Sequence, residues 1–247
     1  MRRRDRLRRV SEVAAPLDKT GSTIRDMFAG VAPRYDLLNH LLSGWFDVLW
    51  RRAAVRALAA GEGEPVLDLC CGTGDQAIAI ARRGARVAAA DFCVPMLAIA
   101  RRKYAALDVR SPAGLAADAL ALPLPSGRFA GATVSFGLRN VADLDRALAE
   151  LARVLRPGGK LVVLEFALPR GALLRSLYLF YFRRVLPRIG KLVSPRGSAY
   201  SYLPSSVMEF PQREAFLERL RRAGFVDAAW RDLTAGIVCL YAGRRAA

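Results

Sequence analysis

Two periods of hydrophobic and polar positions alternate along this chain. From residue 21 to 60, Met27, Phe28, Val31, Tyr35, Leu38, Leu41 and Leu42 recur at three- and four-residue steps, which predicts amphipathic helices. "PVLDLC" (65–70) is a continuous apolar run and reads as a buried parallel strand. Helices are then expected over "DQAIAIARR" (75–83) and "PMLAIARRKYA" (95–105), and strands over "RVAAADF" (86–92), "LAADA" (115–119) and "FAGATVSFG" (129–137). "LDRALAELARVL" (144–155) predicts a helix stopped by "RPGG" (156–159), because proline and glycine end helices. "KLVVLEFAL" (160–168) reads as a fifth strand. After a helix over "REAFLERLRRAG" (213–224) come two β-like runs, "VDAAWRDL" and "GIVCLYAG".

Strands that alternate with helices imply an α/β fold: a mostly parallel sheet covered on both faces. The length of 247 residues suits one domain over 21–247, with a basic, mobile tail over 1–20. No internal repeat is visible. No apolar stretch reaches the roughly 18–20 residues of a membrane span, and no apolar signal-peptide core follows "MRRRDRLRRV". The cysteines Cys70, Cys71, Cys93 and Cys239 lack metal spacing, and reduced cytoplasmic thiols are expected. With a single histidine, His40, a metal centre is not expected.

The formal charge of +17 changes the picture more. Nucleic acid and anionic membrane surfaces both attract such a chain. The excess is nearly all arginine amid abundant alanine, so a compositional habit is the first explanation. Between Phe166 and Met208 there is no acidic residue. There "LLRSLYLFYFRRVLPRIGKLV" mixes bulky apolar groups with Arg175, Arg183, Arg184, Arg188 and Lys191. The mixture suits either a buried helix with a solvated basic side or an interfacial segment.

Candidate chemistry centres on "VLDLCCGTGD" (66–75). A strand meets a glycine turn at the carboxyl edge, where such sheets bind ligands. Gly72 and Gly74 let backbone approach a ligand closely. The turn lacks the Lys-Ser/Thr of a triphosphate loop and the spacing of the dinucleotide fingerprint. Asp91 ends the second strand and suits both ribose hydroxyls of a nucleoside. Asp118 ends the third, at the height of an adenine ring. The order of turn and two acids resembles class I methyltransferases, which implies a Rossmann-like, seven-stranded sheet and S-adenosylmethionine as cofactor. Cys70 stands where many of these enzymes have their first glycine, and reads as a small buried hydrophobe.

"YDLLNHLLSGWFDVLW" (35–50), "SFGLRNV" (135–141), "RVLRPGGKLVVLEF" (153–166), "VLPRIGKLV" (185–193), "YSYLPSSV" (200–207) and "LTAGIVCLY" (233–241) sharpen this. Together they resemble the ubiquinone/menaquinone C-methyltransferase family (UbiE/MenG type) over roughly residues 22–243. The chain departs from the family's pattern at Gly44-Trp45 and at Asp47. The resemblance implies methyl transfer to a ring carbon of a lipid-soluble prenylated quinol. Demethylmenaquinol comes first. A 2-polyprenyl-6-methoxy-1,4-benzoquinol of the ubiquinone pathway, another phenol or sterol, and RNA follow. A helical cap over 21–60 and a helical lid over 170–212 are implied too. A homo-oligomer stays open, as does peripheral contact with an anionic membrane from the cytoplasmic side.

The same resemblance implies the site residues. Gly72, Thr73, Gly74, Asp91, Asp118, Ala119 and Ser135 are expected against the cofactor. Arg139, beside Asn140, is the candidate for stabilising phenolate charge, since arginine stays protonated; a structural salt bridge is its alternative. Asp36 is either a general base or a hydrogen-bond acceptor. Tyr35, Asn39, Tyr200 and Tyr202 are expected at the quinol, the last two in contact with it or packed beside it.

Overall fold

A computed structural model describes residues 17–185, 188 and 199–247. Three helices open it: α1 (Gly21–Val31), α2 (Tyr35–Ser43) and α3 (Phe46–Leu58). A single helical turn, Ala32–Arg34, joins the first two. Alternating strands and helices follow: β1 (Pro65–Leu69), α4 (Asp75–Ala81), β2 (Arg86–Asp91), α5 (Val94–Ala105), β3 (Ala113–Ala116), β4 (Phe129–Ser135), α6 (Leu144–Val154) and β5 (Leu155–Phe166). Then come α7 (Ala172–Phe180), α8 (Ala199–Glu209), α9 (Glu214–Arg222), β6 (Phe225–Leu233) and β7 (Val238–Arg245).

The seven strands form one sheet in the order β3-β2-β1-β4-β5-β7-β6. Every pairing is parallel except those of β7, which runs antiparallel to β5 and β6. Strand order reverses between β1 and β4, and ligands of open α/β sheets bind at such a switch point. Alternation along each strand feeds two cores. Leu67, Leu69, Leu161 and Val163 pack on one face with α6 and α9. Val66, Val162 and Leu164 pack on the other with α3, α4 and α5.

The helix α6 shows why local sequence suffices here. Asp143 caps it by accepting a hydrogen bond from the Arg146 amide at 3.0 Å. Ala147, Leu148, Leu151 and Val154 fall on one stripe and are buried. Each buried leucine contributes about 1.5–3 kcal/mol.

Several boundaries differ from expectation. The third strand covers 113–116 rather than 115–119, so Asp118 sits in the turn beyond it. That turn is fastened by Asp118 Oδ1, which accepts from the Leu120 amide at 2.8 Å. Arg156–Gly159 does not end α6 from outside but forms the first part of β5. The register steps from Phe129 opposite Leu155 to Gly131 opposite Lys160, so the segment bulges out of the ladder. Gly158, at φ +72°, supplies the left-handed residue the bulge needs. Of the expected tail, 1–16 lies outside the described residues. Lys19 is anchored by an ion pair with Glu209 at 3.4 Å.

Candidate active site

The glycine turn leaves β1 at Cys70, which adopts φ +56°. A glycine suits that backbone better, which gives the family's usual residue a physical reason. Burial pushes the thiols of Cys70 and Cys71 well up, so neither is a ready nucleophile. Gly74, at φ +87°, has a second constraint: a side chain there would meet the Tyr104 ring at 2.6–2.7 Å. Gly72, at φ +55°, faces open space on the ligand side. The Gly72 amide donates to Asp91 Oδ2 and the Cys93 amide to Asp91 Oδ1, each at 2.7 Å. Burial raises the Asp91 carboxyl, and these two amides oppose the rise. A carboxylate has about four acceptor positions, so Asp91 keeps capacity for a diol.

This turn forms one wall of a cavity. Asp91, Asp118, Ala119, Ser135, Asn140 and Gly72 line it, together with α1 residues Ile24, Arg25 and Phe28. Five of the seven residues expected against the cofactor thus converge, with Asn140 and Tyr35 beside them. Ser135 Oγ and Asn140 Oδ1 are buried there without a protein partner, a condition a bound ligand relieves. Thr73 and Gly74 do not line the cavity. The Thr73 hydroxyl turns away and donates to Asp36 Oδ1.

A second, larger cavity adjoins the first and shares Phe28, Tyr35 and Phe136 with it. Its walls are largely apolar: Val31, Leu42, Trp50, Phe166, Leu177 and Phe182 among them. Tyr35, Asn39, Arg139 and Tyr202 are the expected residues that reach it. The side chain of Tyr200 lies outside the described residues. The Tyr35 hydroxyl bonds with Asn39 and lies within the field of Arg139 and Arg51. Burial raises its pKa against those three influences. Tyr202 is pushed up to about 12 by burial, and its hydroxyl has no protein partner.

Arg139 sits on the short helical turn Leu138–Asn140 and is buried. Its Nη1 lies 3.1 Å from Glu165 Oε2, and its amide donates to Glu165 Oε1 at 3.2 Å. The guanidinium also contacts the Phe136 carbonyl and stands 5.4 Å from the centre of the Phe166 ring. Arg139 is thus held in a buried ion pair and also lines the apolar cavity. Burial raises the Glu165 carboxyl while Arg139 holds it down. Asp36 lines neither cavity. It accepts from Thr73 and, at 3.0 Å, from Lys103, which also contacts Asp75. Its geometry is that of the hydrogen-bond acceptor.

This geometry has known counterparts. Residues 17–245 match the ubiE/COQ5 methyltransferase family. The chain belongs to that family. It is 50% identical to a demethylmenaquinone methyltransferase of Thermus thermophilus over 89% of this chain and 100% of that one. It is 46% identical to the ubiquinone/menaquinone biosynthesis C-methyltransferase UbiE of Geobacter sulfurreducens, over 93% and 91% of the two chains. In fold it is similar to a methyltransferase solved with the Haloferax volcanii Trm112 activator, with a TM-score of 0.65 at 18% identity over 89% of this chain and 98% of that one. It is similar also to a phosphoethanolamine N-methyltransferase of Haemonchus contortus solved with S-adenosylhomocysteine, with a TM-score of 0.61 at 15% identity over 80% and 52%. The chain is an S-adenosylmethionine-dependent methyltransferase, and the first cavity fits that cofactor. Asp91 offers paired acceptors for a ribose, and two unpartnered buried polar atoms await a polar ligand.

The helical cap expected over 21–60 came without any named residue of α1, yet Ile24, Arg25 and Phe28 line the first cavity. The periodicity of Met27, Phe28 and Val31 announced a helix but not that Phe28 would serve both cavities. Sequence reasoning missed Asp68, buried in β1 and bonded to the Thr133 hydroxyl at 2.7 Å.

Proposed function

We propose that the chain transfers a methyl group to a ring carbon of a reduced prenylated quinone, demethylmenaquinol before a benzoquinol. The observation that carries this reading is the large apolar cavity opening onto the cofactor cavity at Tyr35, Phe28 and Phe136. A prenyl chain needs such walls, and a polar RNA base does not. The names of the relatives support the same choice.

When bound, S-adenosylmethionine supplies an electrophilic methyl on sulfonium. The chain's own part is positioning and charge. Asp91 and the Gly72 turn fix one reactant, and the aromatic wall fixes the other; alignment of this kind supplies several kcal/mol. An aromatic carbon becomes nucleophilic as its ring hydroxyl, with a free pKa near 10, loses its proton. Arg139 is placed to stabilise the resulting charge, its own charge anchored by Glu165. Tyr35, Asn39 and Tyr202 offer hydrogen bonds to the ring oxygens. Asn140 takes a supporting place on the cofactor side. Residues 21–60 act as a cap and the described part of 170–212 as a lid; of the lid expected from sequence, 186–187 and 189–198 lie outside the described residues. Incubating the pure protein with labelled cofactor and a lipid extract tests this: label in quinone supports it, and label only in RNA or sterol overturns it.

Peripheral membrane contact is part of the same reading. Phe46 and Leu177 line the apolar cavity yet are 46% and 58% exposed, so they stand at its mouth. Leu173, Leu177 and Phe180 form one exposed stripe of α7, and Leu37 and Leu41 one of α2. Trp45, also exposed, lies between α2 and α3. Exposed apolar groups at the entrance for a lipid-soluble substrate fit a bilayer surface. Arg175, Arg184 and Arg188, all exposed, suit anionic headgroups. No described helix is long and apolar enough to cross a membrane.

A further inference from the structure

Loss of the ring proton needs an acceptor, and Asp36 is occupied elsewhere. We propose that Asp47, acting through the Ser43 hydroxyl, accepts that proton, and that His40 is the positioning residue that holds Asp47 in place. The inference rests on the quinol reading above.

Asp47 is a carboxylate buried in a mainly apolar wall, with Ser43 and Arg51 beside it on the same cavity. Burying a charge costs heavily unless it is paired, so its partners need an account. Ser43 Oγ donates to Asp47 Oδ1 at 2.8 Å. His40 Nδ1 lies 2.8 Å from Asp47 Oδ2, and Arg51 Nε lies 3.8 Å from the same oxygen; both are charge contacts without hydrogen-bond alignment, so Asp47 Oδ2 stays free to accept. No expected site residue belongs to this cluster, yet it opens onto the substrate cavity.

The backbone is bent to build it. Gly44 and Trp45, between α2 and α3, are both left-handed, at φ +57° and +66°. That conformation is costly for tryptophan, and such strain persists only where surroundings over-determine it. Here the Trp45 amide donates to the His40 carbonyl at 2.8 Å, and the Trp45 ring stacks on the His40 ring at 4.7 Å and 6°. The bend returns α3 against α2, so that Asp47, in its first turn, meets His40 and Ser43. A carboxylate near a helix N-terminus is also favoured by the helix dipole. That alone explains neither the histidine nor the opening onto the cavity.

The step balances. The quinol O–H bond breaks as Ser43 Oγ takes its proton and passes its own to Asp47 Oδ1. The electron pair left on the ring oxygen moves into the ring. The ring carbon bonds to the methyl carbon, the methyl–sulfur bond breaks, and its pair stays on sulfur. The ring carbon's hydrogen then moves to the oxygen and restores aromaticity. The proton on Asp47 passes to water before the next turnover. The groups facing Asp47 are His40 from α2 and Arg51 from α3. Across the cavity stand Arg139, Tyr35, Tyr178 and Tyr202.

The test uses the full chain, S-adenosylmethionine and a short-tailed demethylmenaquinol. Asp47→Asn, nearly isosteric, should lower kcat by roughly 10²–10⁴-fold, the range general-base catalysis supplies. KM and cofactor affinity should stay within about threefold, as a group acting only in the chemical step requires. The rate of Asp47→Asn should climb about tenfold per pH unit towards the quinol's own ionisation near pH 10, while the wild-type rate changes less. Acetate should restore part of the activity of Asp47→Ala. His40→Gln should cost about tenfold, less than Asp47→Asn does, if it positions rather than accepts. A kcat for Asp47→Asn within threefold of wild type overturns the proposal. So does a loss that is equal at every pH, unrelieved by acetate and accompanied by a lower Tm. A failure of the quinol reading shows in the wild-type reference itself and overturns both; a failure of this proposal alone shows only in the variants.

Discussion

Arg139 Nη1 lies 3.1 Å from Glu165 Oε2, and the next residue, Asn140, lines the neighbouring cofactor cavity. One short turn thus puts a buried positive charge on the substrate side and a carboxamide on the cofactor side. Neither member of the ion pair is dispensable, because each leaves the other buried and unpaired. Glu165→Gln should therefore lower stability by about 3–5 kcal/mol, measured by denaturant unfolding. Arg139→Lys keeps the charge and loses the planar fork. It should lower kcat by about tenfold or more, with cofactor affinity nearly intact by calorimetry. Equal loss of cofactor binding would make Arg139 a residue of the cofactor site.

Asp91→Ala removes paired acceptors and frees the Gly72 and Cys93 amides. Cofactor affinity should fall by more than tenfold, since hydrogen bonds to a charged group each contribute about 1.5–3 kcal/mol. Quinol KM should change little. Unchanged cofactor binding in calorimetry would remove Asp91 from the site.

Asp68 makes stability depend on pH. Burial pushes its carboxyl from 3.8 to about 7, against the bond from Thr133. A carboxyl raised in the folded state favours folding most below pH 4. That contribution is lost as the pH rises through about 7, because the unfolded chain ionises first. Asp68→Asn should lack this slope. Its stability relative to wild type should grow by on the order of 2–3 kcal/mol between pH 5 and 7, at 1.36 kcal/mol per unit. A gap that shrinks with rising pH would contradict the assignment.

These three sites differ in how legible they were. That Asp91 and Ser135 would line one cavity was readable because they end strands of simple period, and strand ends of a parallel sheet gather at one edge. Arg139 was readable from "FGLRN", but its partner Glu165 was not. A glutamate inside "KLVVLEFAL" carries no local sign of which strand edge it will meet. Nothing local signalled that Asp36 and Thr73 would bond to each other. The packing of α2 against the glycine turn and Lys103 is a long-range contact that no local period encodes. "RPGG" was read as a stop because proline and glycine signal both helix ends and strand bulges. Only the ladder register distinguishes them.

The cavity mouth predicts how the protein meets lipid. Trp45 is 60% exposed, so its fluorescence should shift to the blue on adding vesicles and be quenched by brominated lipid. Binding should need anionic lipid and weaken with salt, as attraction is screened over roughly 8–10 Å. Arg184→Glu with Arg188→Glu should lower vesicle affinity by about tenfold or more, at about 1 kcal/mol for each basic residue. Turnover of a short-tailed quinol should survive. Equal damage to soluble and vesicle-borne substrates would assign these arginines to the folded core.

Two cavities meet at Tyr35, Phe28 and Phe136, and the proposed reaction delivers the methyl to a ring carbon of a quinol bound in the second. Carbon-13 NMR of the product formed from methyl-labelled cofactor and demethylmenaquinol measures that directly. A labelled methyl resonance bonded to the naphthoquinol ring carbon is the predicted result. A methyl bonded to ring oxygen, or no transfer to this quinol while another acceptor is methylated, would contradict it.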